Sequence, residues 1–180
     1  MIESTGVFEN YTDAKKHINA GSKKVIITSP AKGNEGIDGK TVLLGINDNE
    51  FNNFNIISNG SCTTNAVAPV IEILNKTIGI EKAILNTIHA YTNTQTIVDT
   101  SVKGDFLRGR AGAQNIIPST TGAATTVTKV IKDLENKFDG IAIRVPVICG
   151  SLADITFISK KPTTKEEINN ILITTSQQPE

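Results

Sequence analysis

Ser61-Cys62-Thr63-Thr64-Asn65 lies between a short apolar run, Ile56-Ile57, and a stretch with helical spacing. Counted from Val67, the apolar residues Val70, Ile71, Leu74 and Ile78 fall at offsets of three, four, seven and eleven, one face of a helix. Pro69 opposes that reading, though a proline is tolerated better near a helix start than at its centre. With Ser61 as N-cap and Gly79 as stop, the spacing predicts a helix from Cys62 to about Ile78. Cys62 then sits in the first turn, where unpaired N–H groups and the positive end of the helix dipole stabilise an anion. Such a position can lower a thiol pKa from about 8.5 to about 3.5–7.5. Cys62 is therefore a candidate nucleophile. The competing reading is a buried, inert thiol, against which stand the three polar residues that follow it.

Upstream of this motif, strands and helices alternate. Met1–Gly6 reads as the end of a strand entering a turn, Thr12-Asp13 as the cap of a helix ending at Gly21, and Val25-Ile26-Ile27 as a buried, parallel strand. Ala31–Lys40 reads as a loop; Thr41–Leu44 and Ile56-Ile57 are two more short strands. Downstream the pattern changes. Ala83–His89 alternates, with Ala83, Leu85, Thr87 and His89 on one face. Tyr91–Pro118 is a long loop, Gly122–Leu134 a helix, and Ile141–Val147 and Asp154–Ser159 are strands that could pair antiparallel. Thr163 or Thr164 caps a last helix with Glu166 or Glu167, and Thr174–Glu180 trails off. The expected fold class is α/β plus α+β: a doubly wound portion over residues 1–60, then a mixed or antiparallel sheet with helices on one face over 61–180.

The chain of 180 residues carries 18 basic and 18 acidic side chains, a balance that provides no basic field for nucleic acid. Its two cysteines, Cys62 and Cys149, without a signal peptide, fit a reducing, cytoplasmic setting better than a disulfide framework. Both ends read as cut from a longer chain.

Geometry offers a candidate base for Cys62, for which a surface or core histidine is the competing reading. A helix over 62–78 and a strand over 82–89 span about 24 and 23 Å, so a tight turn between them brings His89 level with Cys62. His17, on an exposed helix, is expected to be a bystander. Ser119-Thr120-Thr121-Gly122 gathers hydroxyls and free N–H groups at a second helix start. Arg108, Arg110 and Arg144 can grip oxyanions with planar forks, and Arg144 interrupts an apolar strand. Ordinary caps and a solvent-facing arginine are the plainer readings of these features.

Taken together, Ser61–Asn65, His89-Ala90-Tyr91-Thr92, Asn115–Ala124 and Arg144-Val145-Pro146 resemble phosphorylating glyceraldehyde-3-phosphate dehydrogenases over nearly the whole chain. The resemblance implies a Rossmann-type NAD-binding domain ending near residue 60, followed by a catalytic domain incomplete at its C-terminus. It implies Cys62 as the nucleophile that forms a thiohemiacetal and then a thioester, and His89 as its base. Thr92 and Arg144 would hold the C3 phosphate of glyceraldehyde 3-phosphate. Ser61, Thr63, Thr121, Gly122 and Arg108 would hold the attacking inorganic phosphate. Thr5, Gly6 and Thr28 would contact NAD, with NADP as the alternative, and no metal is implied. The implied assembly is a homotetramer, with Arg110 in a loop near a neighbouring subunit's cofactor.

The glycine-rich dinucleotide fingerprint and its acidic partner are absent, so the chain reads as an internal fragment, inactive alone. Ala66 stands where many members have a second Cys, and Cys149-Gly150-Ser151-Leu152 departs from a more usual Asn-Val-Ser-Val. The alternatives are an erythrose-4-phosphate dehydrogenase, a cofactor-free Cys–His hydrolase, and a non-catalytic remnant.

Overall fold

Short apolar runs build the first sheet. β1 (Ile2–Glu3), β2 (Val25–Ile27), β3 (Lys40–Thr41) and β4 (Ile56–Ser58) are all parallel, in the order β1-β2-β4-β3. The computed structural model describes residues 1–178. Val25, Ile27 and Ile56 are buried against Tyr11 and Ala14 of α1 (Tyr11–Asn19). The cap of α1 is Asn10, whose side chain accepts from the Thr12 N–H, and not the expected Thr12-Asp13. Tyr11 thereby joins the helix and is buried. The strand expected over Thr41–Leu44 is cut short at Thr41, because the Leu43 N–H donates to Asn47 Oδ1 at 2.9 Å instead of to a neighbouring strand.

After β4, Gly60 turns the chain with φ +67° into α2 (Cys62–Thr77). Ser61 caps α2 by accepting from the Thr64 N–H at 3.1 Å. Asn65 Nδ2 donates back to the Asn59 and Ser61 carbonyls at 2.7 and 2.9 Å, tying the turn to the helix it precedes. α2 continues through Pro69, well past its first turn. A proline inside a helix costs about 3 kcal/mol. Fully buried Val67, Ile71 and Leu74, at about 1.5–3 kcal/mol each, outweigh that cost.

The second sheet contains β5 (Ile80–Ala90), β6 (Ile117–Thr120), β7 (Phe138–Val145) and β8 (Ser151–Ser159), in the order β6-β7-β5-β8. The two late strands do not pair with each other. β5 lies between them, parallel to β7 and antiparallel to β8. The Pro146–Gly150 link is long enough to step across one strand, about 10 Å, which leaves both edges of the long β5 satisfied. β6 occupies residues read as the end of a loop and the start of a helix; it runs antiparallel to β7 and buries Ile117.

α3 (Ala123–Val130) stops at Ile131 and gives way to a 3-10 turn, Lys132–Leu134, where one continuous helix was expected. Its run of Thr125, Thr126, Val127, Thr128, Val130 and Ile131 is β-branched, and such residues favour helix weakly. α4 (Lys165–Ser176) is capped by Thr164 on the Glu167 N–H, as expected, and runs on through Ser176. Helices α2, α3 and α4 cover one face of the second sheet over Leu85, Phe138 and Ile155. On the other face Ile84, Ile141, Leu152 and Ile158 are each more than half exposed.

Candidate active site

The turn at Gly60 and the cap at Ser61 place Cys62 at the head of α2, exposed. α2 and β5 return side by side, so that His89, one residue from the end of β5, reaches the same level. Cys62 Sγ lies 3.6 Å from His89 Nε2. The parallel register pairs His89 with Arg144 of β7, which puts both side chains on the face beneath the helices. Arg144 Nη1 is 2.9 Å from His89 Nδ1 and donates to the Ala90 carbonyl at 3.0 Å. That carbonyl also lies 2.8 Å from His89 Nδ1. Arg144 Nε is buried without a partner. Burial draws the guanidinium below the ordinary arginine range; Cys62 opposes this and Arg108 adds to it.

A second helix start faces the first. Thr121 Oγ1 accepts from the Ala123 N–H at 3.2 Å, while Gly122, exposed, leaves the first turn of α3 open. Gly140 of β7 lets α3 lie close to the sheet: a Cβ there would come within 3.0 Å of the Leu85 carbonyl oxygen and 3.5 Å of Ala124 Cβ. The result is a cavity of about 200 Å³ between Ser61, Cys62 and Thr63, Thr121 and Gly122, and His89 and Arg144, with Pro30 contributed from the first half of the chain. Two N–H-rich helix ends and one guanidinium therefore surround a thiol beside an imidazole, a setting suited to anions and to acyl transfer. A larger cleft of about 580 Å³, bordered by Thr77, Glu167 and Asn170, contains no such pair.

Thr87 also lines the cavity and was not singled out in the sequence, although it shares the alternating face of His89. Its Oγ1 is buried without a partner. Two residues expected at the site lie outside the cavity. Thr92, just past β5, shares its hydroxyl with Thr94 at 3.0 Å. Arg108 pairs with Asp105, Nε to Oδ2 at 3.0 Å, and borders the adjoining depression with Ser119 and Thr120. The Arg108 N–H holds the Asp105 carboxyl below the usual carboxylate range.

Thr5 and Gly6 follow β1 and Thr28 follows β2, so they share the carboxyl edge of the parallel sheet from which Cys62 emerges after β4. The Thr5 hydroxyl is bonded to the Glu3 carboxylate, and Thr28 Oγ1 donates to the Glu3 carbonyl at 3.2 Å. His17 lies outside the cavity, as expected of a structural histidine. Its Nε2 lies 2.6 Å from the buried Glu3 carboxylate, and its ring meets Phe8 edge-on, so it belongs to the packing of α1 on the sheet. Arg110 binds Asp99 at 2.7 Å.

Residues 61–179 match the family model for the glyceraldehyde 3-phosphate dehydrogenase C-terminal domain. The chain belongs to the glyceraldehyde-3-phosphate dehydrogenase family. It is 48% identical over 171 residues to the glyceraldehyde-3-phosphate dehydrogenase of Streptomyces coelicolor, covering 94% of this chain and 49% of that protein. It is 46% identical over 187 aligned residues to that of Borreliella burgdorferi, covering 100% of this chain and 54% of the relative. With the Borrelia hermsii dehydrogenase the identity is 45%, over 100% of this chain and 69% of the relative. The chain thus spans about half the length of the first of these curated relatives. Among the described residues of this family member, no helix is long and apolar enough to cross a membrane, and no His, Cys, Asp and Glu cluster could hold a metal.

Proposed function

We propose that this chain is the thiol-bearing part of a cytoplasmic dehydrogenase that converts glyceraldehyde 3-phosphate and inorganic phosphate into 1,3-bisphosphoglycerate, with NAD, or alternatively NADP, as hydride acceptor. The observation that carries this reading is the 3.6 Å approach of Cys62 Sγ to His89 Nε2 inside a cavity ringed by two helix starts. Sulfur attack on the aldehyde carbon forms an S–C bond, and the carbonyl oxygen takes a proton from His89, giving a thiohemiacetal on Cys62. Nε2 then accepts the hydroxyl proton as that carbon is oxidised to a thioester. Phosphate attacks the thioester, the C–S bond breaks, and Cys62 is returned as thiolate.

The bound dinucleotide would supply the hydride acceptor for the oxidation. The residues present fit one part of it: Gly6, with φ +73° and open space where a Cβ would stand, allows close backbone approach at the carboxyl edge of the sheet. Thr5 and Thr28 lie on the same edge. For the substrate, Arg144 with its free Nε, together with Thr92, is suited to the C3 phosphate. Ser61, Thr63, Thr121 and Gly122 suit the attacking phosphate, joined by Arg108 once it leaves Asp105. A homotetramer of the whole protein would cover the apolar outer face of the second sheet; the same residues on two copies can meet about a two-fold axis. Residues 1–60 are the end of the dinucleotide-binding domain in this scheme, 61–180 belong to the catalytic domain, and the 180-residue chain alone is inactive.

The test is NADH formation by the full-length protein. It should require both glyceraldehyde 3-phosphate and inorganic phosphate, vanish in Cys62→Ser, and fall by about 10²–10⁴ in His89→Asn. Turnover that ignores phosphate or persists in Cys62→Ser would refute the scheme, and phosphate-independent ester hydrolysis would point to a hydrolase.

A further inference from the structure

Ser4, Thr5, Gly6 and Val7, the turn after β1, are all exposed, so burial does not hold it. Polar contacts to one buried residue hold it instead. Glu3 ends β1 and is 3% exposed. Its Oε1 accepts from the Thr5 N–H at 2.7 Å and also from the Thr5 hydroxyl. With its proton directed at Glu3, Thr5 Oγ1 keeps lone pairs for the Val7 N–H, which donates to it at 3.1 Å. These bonds close around Gly6, whose backbone stands open. The second carboxylate oxygen, Oε2, lies 2.6 Å from His17 Nε2 of α1. The two oxygens therefore have separate partners, one in the turn and one in the helix.

The backbone of Glu3 holds a second point on the same edge. Its carbonyl accepts from the Thr28 N–H at 3.0 Å and from Thr28 Oγ1 at 3.2 Å. Thr5, Gly6 and Thr28, the three positions suited to the dinucleotide, are thus tied to one residue that itself lies beneath the surface. Stability alone gives no reason for a carboxylate there, since well-packed apolar side chains in place of a buried ion pair are often as stable or more so. An apolar side chain at this position would leave the Thr5 N–H and hydroxyl to water, and the turn free to move.

We propose that Glu3 is a positioning residue for the dinucleotide, setting the Thr5–Val7 turn through its carboxylate and Thr28 through its carbonyl before the cofactor binds. A turn already in its bound shape does not have to be ordered on association, so the effect falls on dinucleotide affinity and leaves the chemistry at Cys62 alone. This rests on the reading of Thr5, Gly6 and Thr28 as dinucleotide contacts. Because Oε1 alone serves the turn, Glu3→Gln can keep both bonds from Thr5 with its amide oxygen and direct its NH2 to His17 Nε2.

The experiment is amide hydrogen exchange read by peptide mass spectrometry, joined to NAD titration calorimetry on the same full-length protein. Without NAD, the peptide containing Thr5–Val7 should exchange about tenfold faster in Glu3→Met than in the unaltered protein, with Glu3→Gln close to the latter. The Kd for NAD should rise about tenfold in Glu3→Met and less than about threefold in Glu3→Gln, while the KM for glyceraldehyde 3-phosphate stays where it was. Where Glu3→Met does not fold, Thr5→Val, a change on the exposed turn, takes its place and should speed exchange of the same peptide. Unchanged exchange in the variant without NAD, or a Glu3→Gln as weak in NAD binding as Glu3→Met, would overturn the proposal. If NAD slows exchange at Thr5–Val7 in the unaltered protein and Glu3→Met still binds it as tightly, the proposal alone is overturned. If NAD binds without slowing exchange there or at Thr28, the reading of these residues as dinucleotide contacts fails, and the proposal falls with it.

Discussion

Cys62 and Cys149 are both exposed and free, so accessibility does not separate them; their neighbours do. Cys62 has a helix start beneath it and His89 Nε2 at 3.6 Å. In the folded full-length protein, iodoacetamide should therefore modify Cys62 at least about tenfold faster than Cys149, with His89→Asn closing the gap. Peptide mass spectrometry reads both rates, and equal rates would remove the argument for an activated sulfur. Glu3 gives a second residue-scale expectation. The Thr5 hydroxyl, the Thr5 N–H and then His17 hold its carboxyl below the ordinary 4.5. A folded value below the unfolded one adds stability that is complete above the unfolded pKa and lost as pH falls through the folded one. The denaturant midpoint should fall on acidifying from about pH 5 downward, and Glu3→Gln should flatten that fall. The Cys62–His89 approach was legible because helix rise and strand rise are fixed quantities. Thr87 and the Arg144–His89 contact were not, because they depend on which strand lies beside β5, and residue spacing carries no strand order.

At the scale of elements, the turn into α2 fixes where the sulfur stands. Gly60 has φ +67°, and an added Cβ would come 3.1 Å from Thr64 Cγ2. Gly60→Ala should destabilise by about 1–2 kcal/mol in urea unfolding, more than an exposed glycine such as Gly36 would lead one to expect from φ alone if Thr64 cannot shift. Thr164→Ala, which removes the cap of α4, should cost about 1 kcal/mol. α2 and α4 were legible from apolar spacing and caps. β6 was not, since Ser119 and Thr120 serve a strand edge or a helix cap equally well. The antiparallel pairing expected for the last two strands failed because β5, with Ile80 and Leu85 fully buried, takes both of their inner edges.

At the scale of the molecule, the two halves share the site. Leu43 of the first half joins the core under α2, Pro30 borders the Cys62 cavity, and Lys129 of α3 reaches Glu35 at 3.5 Å. The outer sheet face with Ile84, Ile141, Leu152 and Ile158 exposed is suited to another copy. Ile84→Lys in the full-length protein should shift sedimentation toward smaller species, and an unchanged assembly would place the interface elsewhere. The alternation of β5 made that face legible, whereas residue spacing carries no information on what would cover it. The whole account turns on acyl chemistry at one sulfur, and the most direct measurement is to trap it. The full-length protein, given glyceraldehyde 3-phosphate and NAD without phosphate, should carry a phosphoglyceroyl adduct on the Cys62 peptide, and added phosphate should discharge it. An adduct on Cys149, no adduct at all, or one that phosphate leaves in place would contradict the account.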